Sequence, residues 1–269
     1  MNSENFIFAL GLTIFAGLST GIGSLMAFLS KNFNPKFLAG SLGFSAGVMI
    51  YVSLIEIFPK AKDSLTLLYG YKQGYWFTVL SFFGGIAIIA LIDWIVPSYE
   101  NPHELKNLED YDSKDALQNN KLMRMGMFSA IAIAIHNFPE GLATFMAALQ
   151  NPALGVSIAV AIAIHNIPEG IAVSVPIYFA TKSRKKAFIH SLLSGLAEPV
   201  GAIIGYFILL RIFNEAIFGI IFAGVAGIMV YISLDELLPT AEEFGEHHIA
   251  IYGLIAGMVV MALSLLMFV

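Results

Sequence analysis

The chain has 269 residues, 58% of them hydrophobic and only 12% charged, with a net charge of −5. Soluble domains carry roughly a quarter charged residues, and a mean hydropathy of +0.79 lies far above their range. These values exclude a soluble enzyme and a disordered chain. With no basic run longer than Arg184-Lys185-Lys186 they also exclude a nucleic acid partner. The absence of cysteine excludes disulfides, thiolate zinc sites and iron–sulfur clusters.

A helix crosses the hydrocarbon of a bilayer in about 20 apolar residues. Eight stretches meet that length, at about 6–29, 38–58, 75–96, 123–149, 153–179, 186–211, 215–239 and 248–268. Their apolar runs are continuous rather than alternating, so the expected class is all-α and polytopic, not a β-barrel. The first stretch follows Met1-Asn2-Ser3-Glu4, which lacks the basic start of a cleaved signal peptide, and is kept as a span. The second carries Glu56 near its end, with Pro59 three residues on, and proline is expected to end or bend the helix there. In the third, Trp76 and Trp94 stand 18 residues apart, roughly 27 Å along a helix, which suits two interfacial belts.

The connection 97–121 is polar and acidic and is read as a solvated inner loop, with no room for a soluble domain. Spans four and five each carry the pattern His-Asn-x-Pro-Glu-Gly and are joined by a short turn at Gln150-Asn151-Pro152, which makes them antiparallel neighbours. Span six holds His190, Ser194 and Glu198-Pro199; His190 is either an auxiliary ligand or an interface residue. Span seven ends with Asp235, Glu236 and Pro239. Beyond it, Glu242, Glu243, Glu246, His247 and His248 form either a solvated loop or a metal-collecting inner mouth.

Orientation follows from the basic residues. With the N-terminus outside, Lys31, Lys36, Lys106, Lys114, Lys121, Arg124, Lys182, Arg184, Lys185 and Lys186 fall in inner loops, against Lys60, Lys62, Lys72 and Arg211 outside. This excess places both termini outside. The acidic loop between spans seven and eight is the one inner segment without a base.

The chain resembles itself twice. Residues 46–59 (AGVMIYVSLIEIFP) match residues 226–239 (AGIMVYISLDELLP) at an offset of 180, on spans that run in opposite directions. An inverted repeat around a central pair of helices gives a 3+2+3 arrangement, a pattern typical of secondary transporters. Residues 130–141 (AIAIAIHNFPEG) recur at 159–170 (AVAIAIHNIPEG), at an offset of 29.

The second repeat puts chemistry at mid-membrane. His136, His165 and Glu198 each lie near the centre of a span, where a charge costs about 2.5–3.5 kcal/mol to insert, so packing alone does not account for them. His, Asn and Glu at i, i+1 and i+4 share one helix face. Imidazole nitrogen with amide and carboxylate oxygens suits a borderline divalent ion such as Zn²⁺ or Fe²⁺. Proline before each Glu frees the carbonyls of Ile135 and Ile164 from helix bonding. Glu140 and Glu169 fall roughly 12 Å apart in depth before any kink, so two adjacent sites, or one ion stepping between them, fit better than one shared site. Glu56 above the midplane and Asp235 with Glu236 below it are read either as capture and release groups at two vestibules or as interfacial helix caps.

The paired motifs at 136–141 and 165–170, followed by Glu198, resemble the ZIP (Zrt/Irt-like) metal transporters, and His in both copies resembles a bacterial branch of that family. The resemblance covers nearly the whole chain. It implies a cell-membrane protein that takes up zinc, with iron, manganese, cobalt or cadmium also accepted, and no catalytic cofactor. It implies zinc ligands at Glu140, His165 and Glu169 and an adjacent site of Asn137, Glu140, Asn166, Glu169 and Glu198. His136 matches the first motif's histidine. The expected partners are the divalent ion, the lipid bilayer and a second copy of the chain as a homodimer. The inner loop departs from a metal-sensing pattern, since it holds only His103.

An intramembrane metalloprotease is the rival from the enzyme class. It needs Glu beside the first His and a second His at i+4, where this chain has Asn137 and Glu140. An anion transporter is opposed by the acidic midplane. An organic-solute carrier is opposed by motif helices that offer mainly Ala, Ile and Gly.

Overall fold

A computed structural model describes residues 3–28, 35–95, 114–209, 214–244 and 247–266; at some of these, including 114–121, His136 and Glu243, only the backbone is described. Among the described residues every element is helical. In chain order they are α1 (Ser3–Ala27), α2 (Pro35–Val52), a π-turn π1 (Ser53–Ile57), α3 (Phe58–Tyr69), α4 (Tyr71–Ile95), α5 (Lys114–Gln150), α6 (Pro152–Thr181), α7 (Arg184–Gly195), α8 (Ala197–Leu209), α9 (Glu215–Ile232), π2 (Ser233–Leu237), α10 (Leu238–Phe244) and α11 (His247–Leu266). Among the described residues seven helical stretches are long and apolar enough to cross a membrane. The long α5, which contains the expected fourth span, is not one of those seven, and the count of eight stays an expectation of the sequence.

Three boundaries differ from the sequence reading. Helix α5 begins at Lys114, so the last part of the expected loop 97–121 is helical, as its Leu, Gln, Lys and Met residues favour; residues 96–113 lie outside the described residues. Pro59 and Pro239 do not end their helices. Each is preceded by a π-turn that lets the chain continue, to Tyr69 and Phe244. The expected sixth span is two helices, broken at Leu196, whose N–H turns back to the carbonyls of Leu192 and Ser194. The turn between α5 and α6 is as expected. Asn151 caps α6 by accepting from the N–H groups of Ala153 and Leu154, and Pro152 opens the helix where its missing N–H is harmless.

Helix α6 is the hub, with 78% of its most apolar stretch buried, whereas α4 and α11 are 22% and 17% buried and form the outer faces. The main pairings are α1 on α6, α5 on α6 and α8, α2 on α11, and α4 on α9. Helix α2 approaches α11 through interleaved small residues: Gly43 and Gly47 lie against the backbone of Ala250 and Leu254, and Gly253 and Gly257 against that of Gly40 and Phe44. Gly70, with φ of 77°, supplies the left-handed turn between α3 and α4. The buried core is rich in alanine with a few large anchors, Phe145 and Phe222 among them.

Candidate metal centre

The two Glu residues of the repeated motif are buried on α5 and α6, and each motif glycine brings its helix against a partner. A Cβ at Gly141 would collide with the backbone carbonyl of Glu198, and one at Gly170 with that of Thr20. Only glycine admits these approaches. The first draws α5 onto the start of α8, and the second draws α6 onto α1. The interruption at Leu196 then puts Glu198 in the first turn of α8, with Pro199 beside it where a helix tolerates a missing donor.

This packing assembles polar side chains from α5, α6 and α8 in a dry interior. Asn137, Glu140, His165, Asn166, Glu169 and Glu198 are all buried, none more than 1% exposed. The ring of His165 places Nε2 3.4 Å from Oε2 of Glu140 on the neighbouring helix. The amide of Asn166 donates to the carbonyl of Ala16 at 2.9 Å and to Oε1 of Glu198. The amide of Asn137 donates to the carbonyl of Ser194 at 3.1 Å. With both amide nitrogens tied to neighbouring groups, the amide oxygens are presented elsewhere. Oδ1 of Asn137, Oε1 of Glu140, Oδ1 of Asn166 and Oε2 of Glu198 accept no hydrogen bond among the described residues. Buried oxygens without donors are rare and call for a missing partner.

The cluster is not a ready-made cage. Among the described residues no three His, Asp or Glu side chains lie close enough together to hold one ion. Any shell built here therefore draws on the asparagine oxygens. Glu169 is buried on α6 one turn beyond His165, within Coulombic reach of Glu198, as is Glu140. The side chain of His136 lies outside the described residues.

The other sequence candidates stand apart. His190 is half-buried, and its Nδ1 donates to the carbonyl of Lys186 at 2.7 Å, on the side of α7 that faces its own first turn. Glu56 and Glu236 are half-buried within π1 and π2, and Asp235 is half-buried beside Glu236. Glu56 has Lys60 at 4.0 Å. Exposed His247 pairs with Glu242 at 2.7 Å; Glu246 and the side chain of Glu243 lie outside the described residues. Two supports escaped the sequence reading. The carbonyl of Ala16 holds Asn166, and the hydroxyl of Ser45 on α2 donates to the carbonyl of His165 at 3.3 Å. Neither has a signal in one sequence, because a backbone carbonyl has no residue type and Ser45 sits in an ordinary small-residue stripe.

Fold and site together define a multi-pass, all-helical membrane protein with a buried His, Asn and Glu cluster. Residues 96–265 match the family model described as ZIP Zinc transporter. The chain is 68% identical over 266 residues to the "Zinc transporter ZupT" of Chlorobaculum parvum, covering 99% of each protein, and equally to that of Chlorobium chlorochromatii. It is 63% identical over 267 residues to the "Zinc transporter ZupT" of Streptococcus mutans, covering 99% of the chain and 100% of that protein. The chain belongs to the ZIP zinc transporter family.

Proposed function

We propose that the chain carries zinc into the cell across the cytoplasmic membrane of a bacterium, accepting iron, manganese, cobalt or cadmium as well. The observation that carries this reading is that buried oxygens of Asn137, Glu140, Asn166 and Glu198 have no donor among the described residues, beside the contact of His165 with Glu140. High-identity relatives named as zinc transporters support the cargo.

The donor set explains how an ion is held and let go. His165 contacts one oxygen of Glu140 and Asn166 donates to one oxygen of Glu198, while the second oxygen of each carboxylate accepts nothing among the described residues. An incoming cation draws His165, Glu140 and Glu169 together with the asparagine oxygens, since no three of the described His, Asp or Glu side chains stand close enough beforehand. A neighbouring oxygen-rich set of Asn137, Asn166 and Glu198 gives a second resting place. His136 completes the first motif. Those two contacts re-form when the ion leaves, so release exchanges bonds to the metal for hydrogen bonds the fold already holds. Glu56 serves the outer mouth and Asp235 with Glu236 the inner one, with the two copies of the 180-residue repeat inverted across the membrane and both termini outside.

The test is metal uptake by the purified full chain in liposomes, with competing Zn²⁺, Fe²⁺, Mn²⁺ and Cd²⁺. Glu140→Ala and Glu169→Ala should each reduce Zn²⁺ uptake to the rate of empty liposomes while the protein still inserts and keeps its helical circular dichroism. Wild-type uptake by either variant would remove that residue from the metal site.

A further inference from the structure

Two long helices of this chain contain a π-turn, and the turns lie 180 residues apart: Ser-Leu-Ile-Glu-Ile at 53–57 and Ser-Leu-Asp-Glu-Leu at 233–237. In each, the N–H after the turn reaches five residues back, from Phe58 to the carbonyl of Ser53 and from Leu238 to that of Ser233. A proline follows directly, Pro59 or Pro239. Proline cannot donate, and its ring crowds the carbonyl four residues back, so widening the turn is one way for the helix to go on.

Proline alone does not explain the widening. Pro139, Pro168 and Pro176 lie inside α5 and α6, which pass through them without a π-turn. One difference that bears on backbone bonding stands six residues before the proline. At the π-turns that residue is Ser53 or Ser233; at the other three it is Ile133, Ile162 and Gly170. Both serines are buried, and their hydroxyls donate to the carbonyl four residues earlier: Ser53 to Met49 at 2.6 Å and Ser233 to Met229 at 2.7 Å. Each serine thus grips the turn before it with its side chain and the turn after it with its carbonyl.

A π-turn holds an extra residue, and one residue in a helix is worth about 100° of rotation. The widening therefore decides which way Glu56 and Glu236 point, and both come out half-buried while Leu54 and Leu234 beside them are exposed. Glu56 meets Lys60 at 4.0 Å, one helical turn on. In the second copy Asp235 replaces Ile55, so the inner turn carries two carboxylates where the outer carries one.

We propose that Ser53 and Ser233 are positioning residues for transport, each holding a π-turn that aims its carboxylate, Glu56 or Glu236, at a mouth of the ion's route. The proposal rests on the reading of these carboxylates as mouth groups. It adds the device that orients them and makes that device common to both halves of the chain.

The experiment compares Zn²⁺ uptake by the reconstituted full chain with that of Ser53→Ala, Ser53→Thr, Ser233→Ala and Glu56→Gln. Losing one hydrogen bond should raise KM for external zinc about five-fold in Ser53→Ala, leaving kcat unchanged, and Glu56→Gln should shift KM in the same direction. Ser53→Thr, which keeps the hydroxyl, should restore the wild-type KM. Ser233→Ala should lower kcat about five-fold at unchanged KM, because its carboxylates serve release. If Glu56→Gln raises KM while Ser53→Ala and Ser233→Ala behave as wild type, the positioning role is overturned and the mouth reading stands. If Glu56→Gln has no effect, the mouth reading fails and takes the proposal with it. Should Ser53→Ala not accumulate in the membrane, Ser53→Cys takes its place. It keeps the shape but donates weakly, and the same rise in KM is expected.

Discussion

At position 165 an imidazole nitrogen faces a carboxylate oxygen at 3.4 Å, both out of reach of solvent. Nitrogen is the donor that distinguishes this part of the cluster from the oxygens of Asn137, Asn166 and Glu198, and nitrogen favours Zn²⁺ over harder ions. His165→Ala should therefore reduce the apparent zinc affinity by at least about ten-fold, and that for Mn²⁺ by much less. Uptake titrations with the two metals check this, and equal loss for both would make the histidine a structural residue. The asparagines work differently. Their amide nitrogens donate to the carbonyls of Ser194 and Ala16, and this leaves the oxygens without a donor among the described residues. A residue type read from sequence says that an oxygen exists; the neighbour that holds the nitrogen says where it points.

Helix pairs are set by where two backbones can touch. Gly141 lies against the carbonyl of Glu198, so the motif glycine carries the approach of α5 to α8 and, with it, the place of the third carboxylate. Gly141→Ala forces these helices apart and should destabilise the protein by about 1–3 kcal/mol. It should also lower zinc uptake, since Glu198 shifts with α8. Gly84 on α4 meets nothing within 4 Å of an added Cβ, and Gly84→Ala should keep the wild-type melting temperature or raise it slightly. Thermal melts in detergent, followed by circular dichroism, measure both. An unchanged melting temperature for Gly141→Ala would contradict the packing account. At the same scale the break at Leu196 does what Pro199 by itself could not announce: it ends one helix and starts another, so that Glu198 gains the N-terminal turn of α8. The sequence showed one apolar run from 186 to 211 because a break of one residue leaves hydropathy unchanged.

For the whole molecule, the pairings exchange under the repeat. Helix α2 packs on α11 and α9 on α4, while α1 packs on α6 and α8 on α5. With the N-terminus outside, the loop at Lys182, Arg184, Lys185 and Lys186 is inside and the end of α3 is outside. The chain has no cysteine, so single substitutions label cleanly. Leu67→Cys, at an 81% exposed position, should react with a membrane-impermeant maleimide in intact cells, and Lys185→Cys only after permeabilisation. The reverse pattern would invert the topology. Metal binding needs neutral imidazole and ionised carboxylates, so zinc uptake should fall as the pH on both sides is lowered from about 8 to about 5. A rate that rises instead would mean that proton entry drives transport, and a flat profile would contradict a site built of His and Glu.

The all-helical membrane class was legible in the sequence, because it is a property of composition and of the length of apolar runs. Apolar runs of membrane length dictate helices, and ionisable groups placed at their centres have no reason to be there except chemistry. The doubled His-Asn-x-Pro-Glu-Gly pattern singled out the candidate donors, and the two π-turns fall at matching positions of the 180-residue repeat. Tertiary structure decided the rest. That Glu140 meets His165 rather than a residue of its own helix, that Asn166 reaches both Ala16 and Glu198, and that Pro59 and Pro239 widen a helix instead of ending it depend on contacts between segments far apart in sequence. Local spacing gives the face on which a side chain stands. Only packing determines which other face meets it.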